Sequence, residues 1–199
     1  MTAAPRPVRP DEAAWLQRRE HAWLPAFAVL AVIVLTTVGG FVVAAALARP
    51  AGPPVGFRGL VEVQPLSGWE PADPGSVDGR PFVQLTRGNG TLLVLDWGAS
   101  PGDADVLARA VVDEALTPSF TQLTVSDRLE PVMLADGTPG ARFTFVGVDP
   151  ESGGSIEGEV TAVVDPSGRG VVFVGLGPEG SLAFIDGDIH TMIDQAEVI

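Results

Sequence analysis

Two histidines, His21 and His190, and a scattered set of carboxylates are the side chains whose types and spacing could do chemistry. The chain has no cysteine, which excludes a thiolate metal site, a cysteine nucleophile, a disulfide scaffold and a lipid-modified cysteine anchor. His190 has Asp186, Asp188 and Asp194 near it in sequence. On a helix, positions 186 and 190 stand one turn apart, so a carboxylate could orient the imidazole as in a hydrolytic triad. The nucleophile for such a triad is missing, because no serine sits in a G-x-S-x-G turn. An Asp–His pair on a solvated helix face is the plainer reading. Asp186-Gly187-Asp188 resembles the start of a calcium loop, but the later acidic residue, the glycine and the terminal glutamate are absent. Glu157 and Glu159, two apart, share one face of a strand and could act as an acid/base pair or hold a cation. The plainer reading places both on a wet sheet face. Gly88-Asn89-Gly90 and Gly175-Leu176-Gly177 read as turn glycines, outside the strand-to-helix setting that a phosphate loop needs. No residue receives a catalytic, cofactor-binding or metal-binding role from these patterns, and no cofactor is implied.

What must position these residues is set by charge and hydropathy along the chain. The 199 residues carry a net charge of −13, and every basic residue is arginine. Residues 1–22 hold Arg6, Arg9, Arg18 and Arg19 against three acids, whereas residues 50–199 hold seven arginines against twenty-two acids, a formal −15. So acidic a surface repels phosphate backbones, which excludes nucleic acid as a partner.

Between these parts, residues 22–48 (AWLPAFAVLAVIVLTTVGGFVVAAALA) contain no charged side chain. As a helix, this run would be about 40 Å long, enough for the ~30 Å of bilayer hydrocarbon. Arginines before it and acids after it predict an N-terminus in the cytoplasm and a C-terminal domain outside. The lipid bilayer is thus an expected partner. Pro25 falls in the first turn, where a missing N–H costs little. Ala46-Leu47-Ala48 has the small-x-small form of a signal-peptidase site, but the apolar run is much longer than the ~7–15 residues of a signal. Gly40, Ala44 and Ala48 have the four-residue spacing of small side chains that lets membrane helices pack closely. The expected organisation is a head at 1–21 too short and polar for a core, a transmembrane helix at 22–48, a Pro-rich linker at 49–55 and an extracytoplasmic α+β domain at 56–199.

Within that domain the apolar period falls to two. GFRGLVEVQ predicts a first strand with Phe57, Val61 and Val63 on one face. Residues 67–79 read as a loop, with Trp69 folded onto the core. FVQLT and TLLVLDW flank Asn89-Gly90 as a hairpin. Ser100-Pro101-Gly102-Asp103 predicts a helix start with Ser100 as the cap, then a stripe of Leu107, Val111 and Ala115, and a stop at Thr117-Pro118. Strands follow at 122–130, 141–148, 156–164 and 171–176, the last two joined by the turn Asp165-Pro166-Ser167-Gly168. A closing helix carries Leu182, Ile185, Ile189, Met192 and Ile193 in one stripe, with Gly187 weakening it. The order predicts an antiparallel sheet packed with two main helices, one sheet face buried and one wet.

Taken in order, several of these pieces resemble the PsbP-like fold, as found in actinobacterial envelope lipoproteins of the LpqN and LpqT type. They are Gly68-Trp69, the hairpin 82–97, the helix 103–116, Pro139-Gly140-Ala141-Arg142-Phe143 and the closing helix with Met192-Ile193. The resemblance covers most of residues 56–199. It implies a compact envelope domain acting in binding or assembly, without shared catalytic residues. The departure is the anchor, which in those lipoproteins is a modified cysteine and here would be a helix. The function expected is a single-pass, membrane-anchored, non-enzymatic binding or assembly module whose partner is an envelope protein or small ligand. Alternatives are an envelope hydrolase using Glu157 or Glu159, and a secreted binding protein released by cleavage after Ala48.

Overall fold

The computed structural model describes residues 52–199. The head, the membrane segment expected at 22–48 and the small-x-small site at Ala46–Ala48 lie outside the described residues. Among the described residues, no helix is long and apolar enough to cross a membrane.

The chain enters a tight hairpin of β1 (Val55–Phe57) and β2 (Val61–Val63), with Phe57 opposite Val61. The single strand expected here is thus two. Arg58 and Gly59 turn the backbone through positive φ, 52° and 65°, and Leu60 N–H closes the turn on the Phe57 carbonyl at 2.8 Å. The C-terminal strand β11 (Glu197–Val198) pairs with β2 to complete a small three-stranded sheet.

A large antiparallel sheet holds the other eight strands. β3 (Glu70–Val77) occupies the segment expected as a loop and forms an edge strand beside β4 (Arg80–Arg87). It is exposed along its length, and the pairing shifts register between Ala72 and Gly75. Its many turn-forming residues hide it from a hydropathy reading, and two prolines at an edge are where a sheet tolerates them. Next comes β5 (Gly90–Ala99). Arg87 pairs with Gly90, so the turn residues are Gly88 and Asn89, one position earlier than Asn-Gly chemistry suggested. Only Gly88 needs positive φ (57°), as a turn with glycine at its first central position requires.

Helix α1 (Ala104–Val111) then crosses the sheet, continuing through a wider turn at Val112–Leu116 and a last turn at Thr117–Ser119. Its cap is Asp103 rather than Ser100: the carboxylate accepts the Val106 N–H at 3.0 Å. Strands β6 (Thr121–Val125) and β7 (Glu130–Met133) both lie against β8 (Pro139–Val148), where one strand over 122–130 was expected. β8 pairs with β9 (Ser155–Val164), which turns through Gly168 (φ 86°) into β10 (Arg169–Pro178). The order across the sheet is β3-β4-β5-β10-β9-β8-β6, with β7 also on β8. A short 3-10 turn (Leu182–Phe184) leads into α2 (Asp186–Asp194).

Both faces of this sheet carry a core. On one side Leu107, Ala108 and Val111 of α1 pack on Phe143, Phe145, Val160, Ala162 and Val172. On the other, Ile189, Met192 and Ile193 of α2 join Leu92, Val94, Val163, Val171, Phe173 and the small sheet's Phe57, Val61 and Val63. Trp69 is folded into this second core, as expected. The expectation of one wet face therefore fails for the sheet's centre. β9 is buried on both sides from Gly158 to Val163, because the closing helix lies across its polar-looking face.

A glycine in β10 permits that approach. Gly175 and Gly177 lie in the strand rather than in a turn, and a Cβ at Gly175 would sit 2.8 Å from Ile189 Cδ1. Gly175→Val is accordingly expected to destabilise the domain by about 1–3 kcal/mol through overpacking, with α2 losing protection; urea unfolding and amide exchange across residues 186–194 measure both.

Candidate functional site

The alternation along β9 directs Glu157, Glu159, Thr161 and Val163 to the face that α2 covers, and the pairing sets Glu159 between Thr144 of β8 and Gly175 of β10. Glu159 is 4% exposed. Above it, α2 turns its apolar stripe onto the core, and the 3.6-residue period brings His190 down at the edge of that stripe. His190 Nε2 lies 2.7 Å from Glu159 Oε2 and 3.2 Å from Asp186 Oδ1. The one-turn Asp–His pair legible in the sequence is therefore formed, and the structure adds a buried third member from a strand.

The second carboxylate oxygen faces Arg142, which projects from β8. Arg142 Nε is 3.2 Å from Glu159 Oε1, but its N–H is donated to Thr161 Oγ1 at 3.0 Å. Glu159 Oε1 is thus buried beside a cation without accepting a hydrogen bond. Arg142 Nη2 reaches Asp194 Oδ1 at 3.4 Å, at the other end of α2. This contact also relieves an unfavourable placement, since a carboxylate at a helix C-terminus opposes the helix dipole. Burial pushes the Glu159 carboxyl above its usual range, against the lowering pull of the His190 hydrogen bond and the Arg142 charge.

The remaining acid of this helix is engaged elsewhere. Asp188 accepts from the Trp69 indole N–H at 3.0 Å and forms an ion pair with Arg87. The segment Asp186-Gly187-Asp188 thus directs its two carboxylates to different partners. Glu157 accepts the backbone N–H of Leu182. Glu157 and Glu159, expected together on a wet face, serve different bonds, and an acid/base pair between them is not what the fold builds. Sequence reasoning missed Arg142 and Thr161 as partners; the signal available was a charged residue inside the otherwise apolar β8.

Beside the cluster is a cavity of about 140 Å³ lined by Ser126, Arg128, Glu130, Arg142, Thr144 and Glu159 among others. It adjoins an open trough of about 410 Å³ running past Thr124, Val146, Glu157 and Leu182. This is the part of the sheet face that α2 leaves uncovered.

No protein-family model matches this chain, and no curated protein sequence does. Solved structures do match. Cyanobacterial PsbP (CyanoP) from Synechocystis superposes with a TM-score of 0.53 at 14% identity, covering 74% of this chain and 92% of that one. LpqN, described as involved in cell envelope biogenesis of Mycobacterium tuberculosis, superposes with a TM-score of 0.51 at 13% identity, covering 73% and 89%. The domain has the PsbP-like fold, an antiparallel sheet packed with two helices, and resembles LpqN as the sequence pattern implied.

Because the folded state holds the Glu159 proton more tightly than the unfolded state, this group's contribution to stability is fully present below its ordinary value of 4.5. It is lost as pH rises through the raised value. Glu159→Gln removes the titration. The stability of the wild type minus that of the variant is expected to fall as pH rises above about 4.5 and then level off, which chemical unfolding over a pH series measures.

Proposed function

We propose that this protein is a single-pass, membrane-anchored module whose PsbP-like domain faces the cell envelope and works in binding or assembly rather than catalysis. The observation that carries the reading is the charge-free run at 22–48 followed directly by a domain of this fold. The arginine asymmetry supports an N-terminus inside, with the head at 1–21 cytoplasmic and residues 56–199 outside. Arg49-Pro50-Ala51-Gly52-Pro53-Pro54 is the Pro-rich linker between the two parts. The involvement of LpqN in cell envelope biogenesis supports the compartment and the kind of work. The partner is an envelope protein or a small ligand, and the acidic surface argues against nucleic acid.

The local chemistry supports the non-enzymatic reading. A general acid or base must reach substrate, yet Glu159 lies under α2 and Glu157 is tied to a backbone N–H. The uncovered trough on β6 and β8 offers an extended surface with apolar and hydroxyl side chains in place of a catalytic constellation.

With a C-terminal tag in the native cells, the expected result is a full-length, membrane-bound species digested from outside by added protease. A shorter species in the medium, beginning at Arg49, would establish the secreted alternative. A domain protected in intact cells would overturn the topology.

A further inference from the structure

We infer that Glu159, Asp186 and His190 form a binding site for one divalent transition-metal ion, zinc foremost, which pins α2 to the sheet. Three potential ligand atoms, Glu159 Oε2, Asp186 Oδ1 and His190 Nε2, all lie within 4.8 Å of one another. Zinc takes histidine nitrogen and carboxylate oxygen at about 2.0–2.2 Å, so neighbouring ligands on a tetrahedral ion stand about 3.3 Å apart. The His190–Asp186 separation, 3.2 Å, is already close to that value, and the shorter His190–Glu159 contact, 2.7 Å, opens slightly as the ion replaces the shared proton. The third, Glu159 Oε2 to Asp186 Oδ1, is within 4.8 Å and closes by rotation of the Asp186 side chain, which is about one-third exposed.

The donor set selects the ion. One imidazole with two carboxylates, and no thiolate anywhere in the chain, suits zinc and its first-row neighbours better than calcium or magnesium, which prefer all-oxygen shells. Three protein ligands leave a fourth position on the solvent side, where His190 and Asp186 are about one-third exposed. The local charge agrees. Glu159, Asp186 and Asp194 supply three negative charges against the single positive charge of Arg142. Arg142 stays on the far oxygen of Glu159 and, with Thr161, holds the ligating carboxylate in place. Second-row contacts of this kind orient metal-binding carboxylates. Glu159 is itself almost wholly buried and turns Oε2 into the cluster, while Oε1 stays on the Arg142 side.

The proton balance is simple. His190 binds through Nε2 as the neutral imidazole with its proton on Nδ1, and any imidazolium present releases one proton to solvent.

Isothermal titration of the full-length protein with zinc chloride, with magnesium and calcium as comparisons, tests the site. The expected result is one equivalent of zinc bound at least tenfold more tightly than either alkaline-earth ion. Affinity should fall at least tenfold in His190→Gln and in Asp186→Asn, and stay unchanged in His21→Gln, which removes the chain's other imidazole. X-ray absorption on the zinc-loaded wild type gives a readout that needs no variant: one imidazole nitrogen with oxygens completing the shell. Absence of a one-equivalent zinc site, full affinity in His190→Gln, or a shell without imidazole would overturn the inference.

Discussion

A carboxylate removed from water between an arginine and an imidazole is the interaction on which the closing half of this domain depends. Stripping a charge of solvent costs several kcal/mol, and the cost is tolerable only with well-placed partners. Glu159 has Arg142 from the adjacent strand on one oxygen and His190 from the helix above on the other. Arg142 extends the linkage to Asp194, so α2 is tied to the sheet near its middle and at its C-terminal end. Near its N-terminal end, Asp188 meets Trp69 and Arg87. Apolar burial of Ile189, Met192 and Ile193 supplies the driving force, but burial is non-directional. The polar contacts fix where along the sheet the helix stops.

That position also depends on what is missing from the strand beneath. A side chain at 175 would hold α2 away from the sheet, and the glycine there brings Ile189 against the β10 backbone. The helix then covers the sheet's centre and leaves the β8–β6 margin open, which is why a polar-lined cavity and a trough lie beside the Glu159 cluster. A single packing decision thus yields both the buried cluster and the accessible surface next to it.

Much of this was legible in the sequence because period and turn chemistry are local. The strands from 141 to 176, the Asp165–Gly168 turn, the stripe of the closing helix and the burial of Trp69 follow from alternation and spacing. The Asp186–His190 pair follows from one helical turn. What escaped has non-local causes. β3 is an exposed edge whose prolines and glycines look like a loop, and β11 is two residues long and exists only through its pairing with β2. The Ser100 cap lost to Asp103 because the helix begins one turn later than proline placement suggested. Above all, Glu159 looked solvated because alternation says which residues share a face and nothing of what later covers it. Only the return of α2, some thirty residues on, turns that face into an interior.

The account stands on the coupling between Glu159 and His190, and a double-mutant cycle measures it directly. Stabilities of the wild type, Glu159→Gln, His190→Gln and the double variant, taken by urea unfolding near neutral pH, give the interaction energy. A coupling of about 1–3 kcal/mol is expected for a buried, hydrogen-bonded pair. Additive effects, with coupling below about 0.5 kcal/mol, would mean that α2 is held by apolar packing alone and that the cluster does not organise this face.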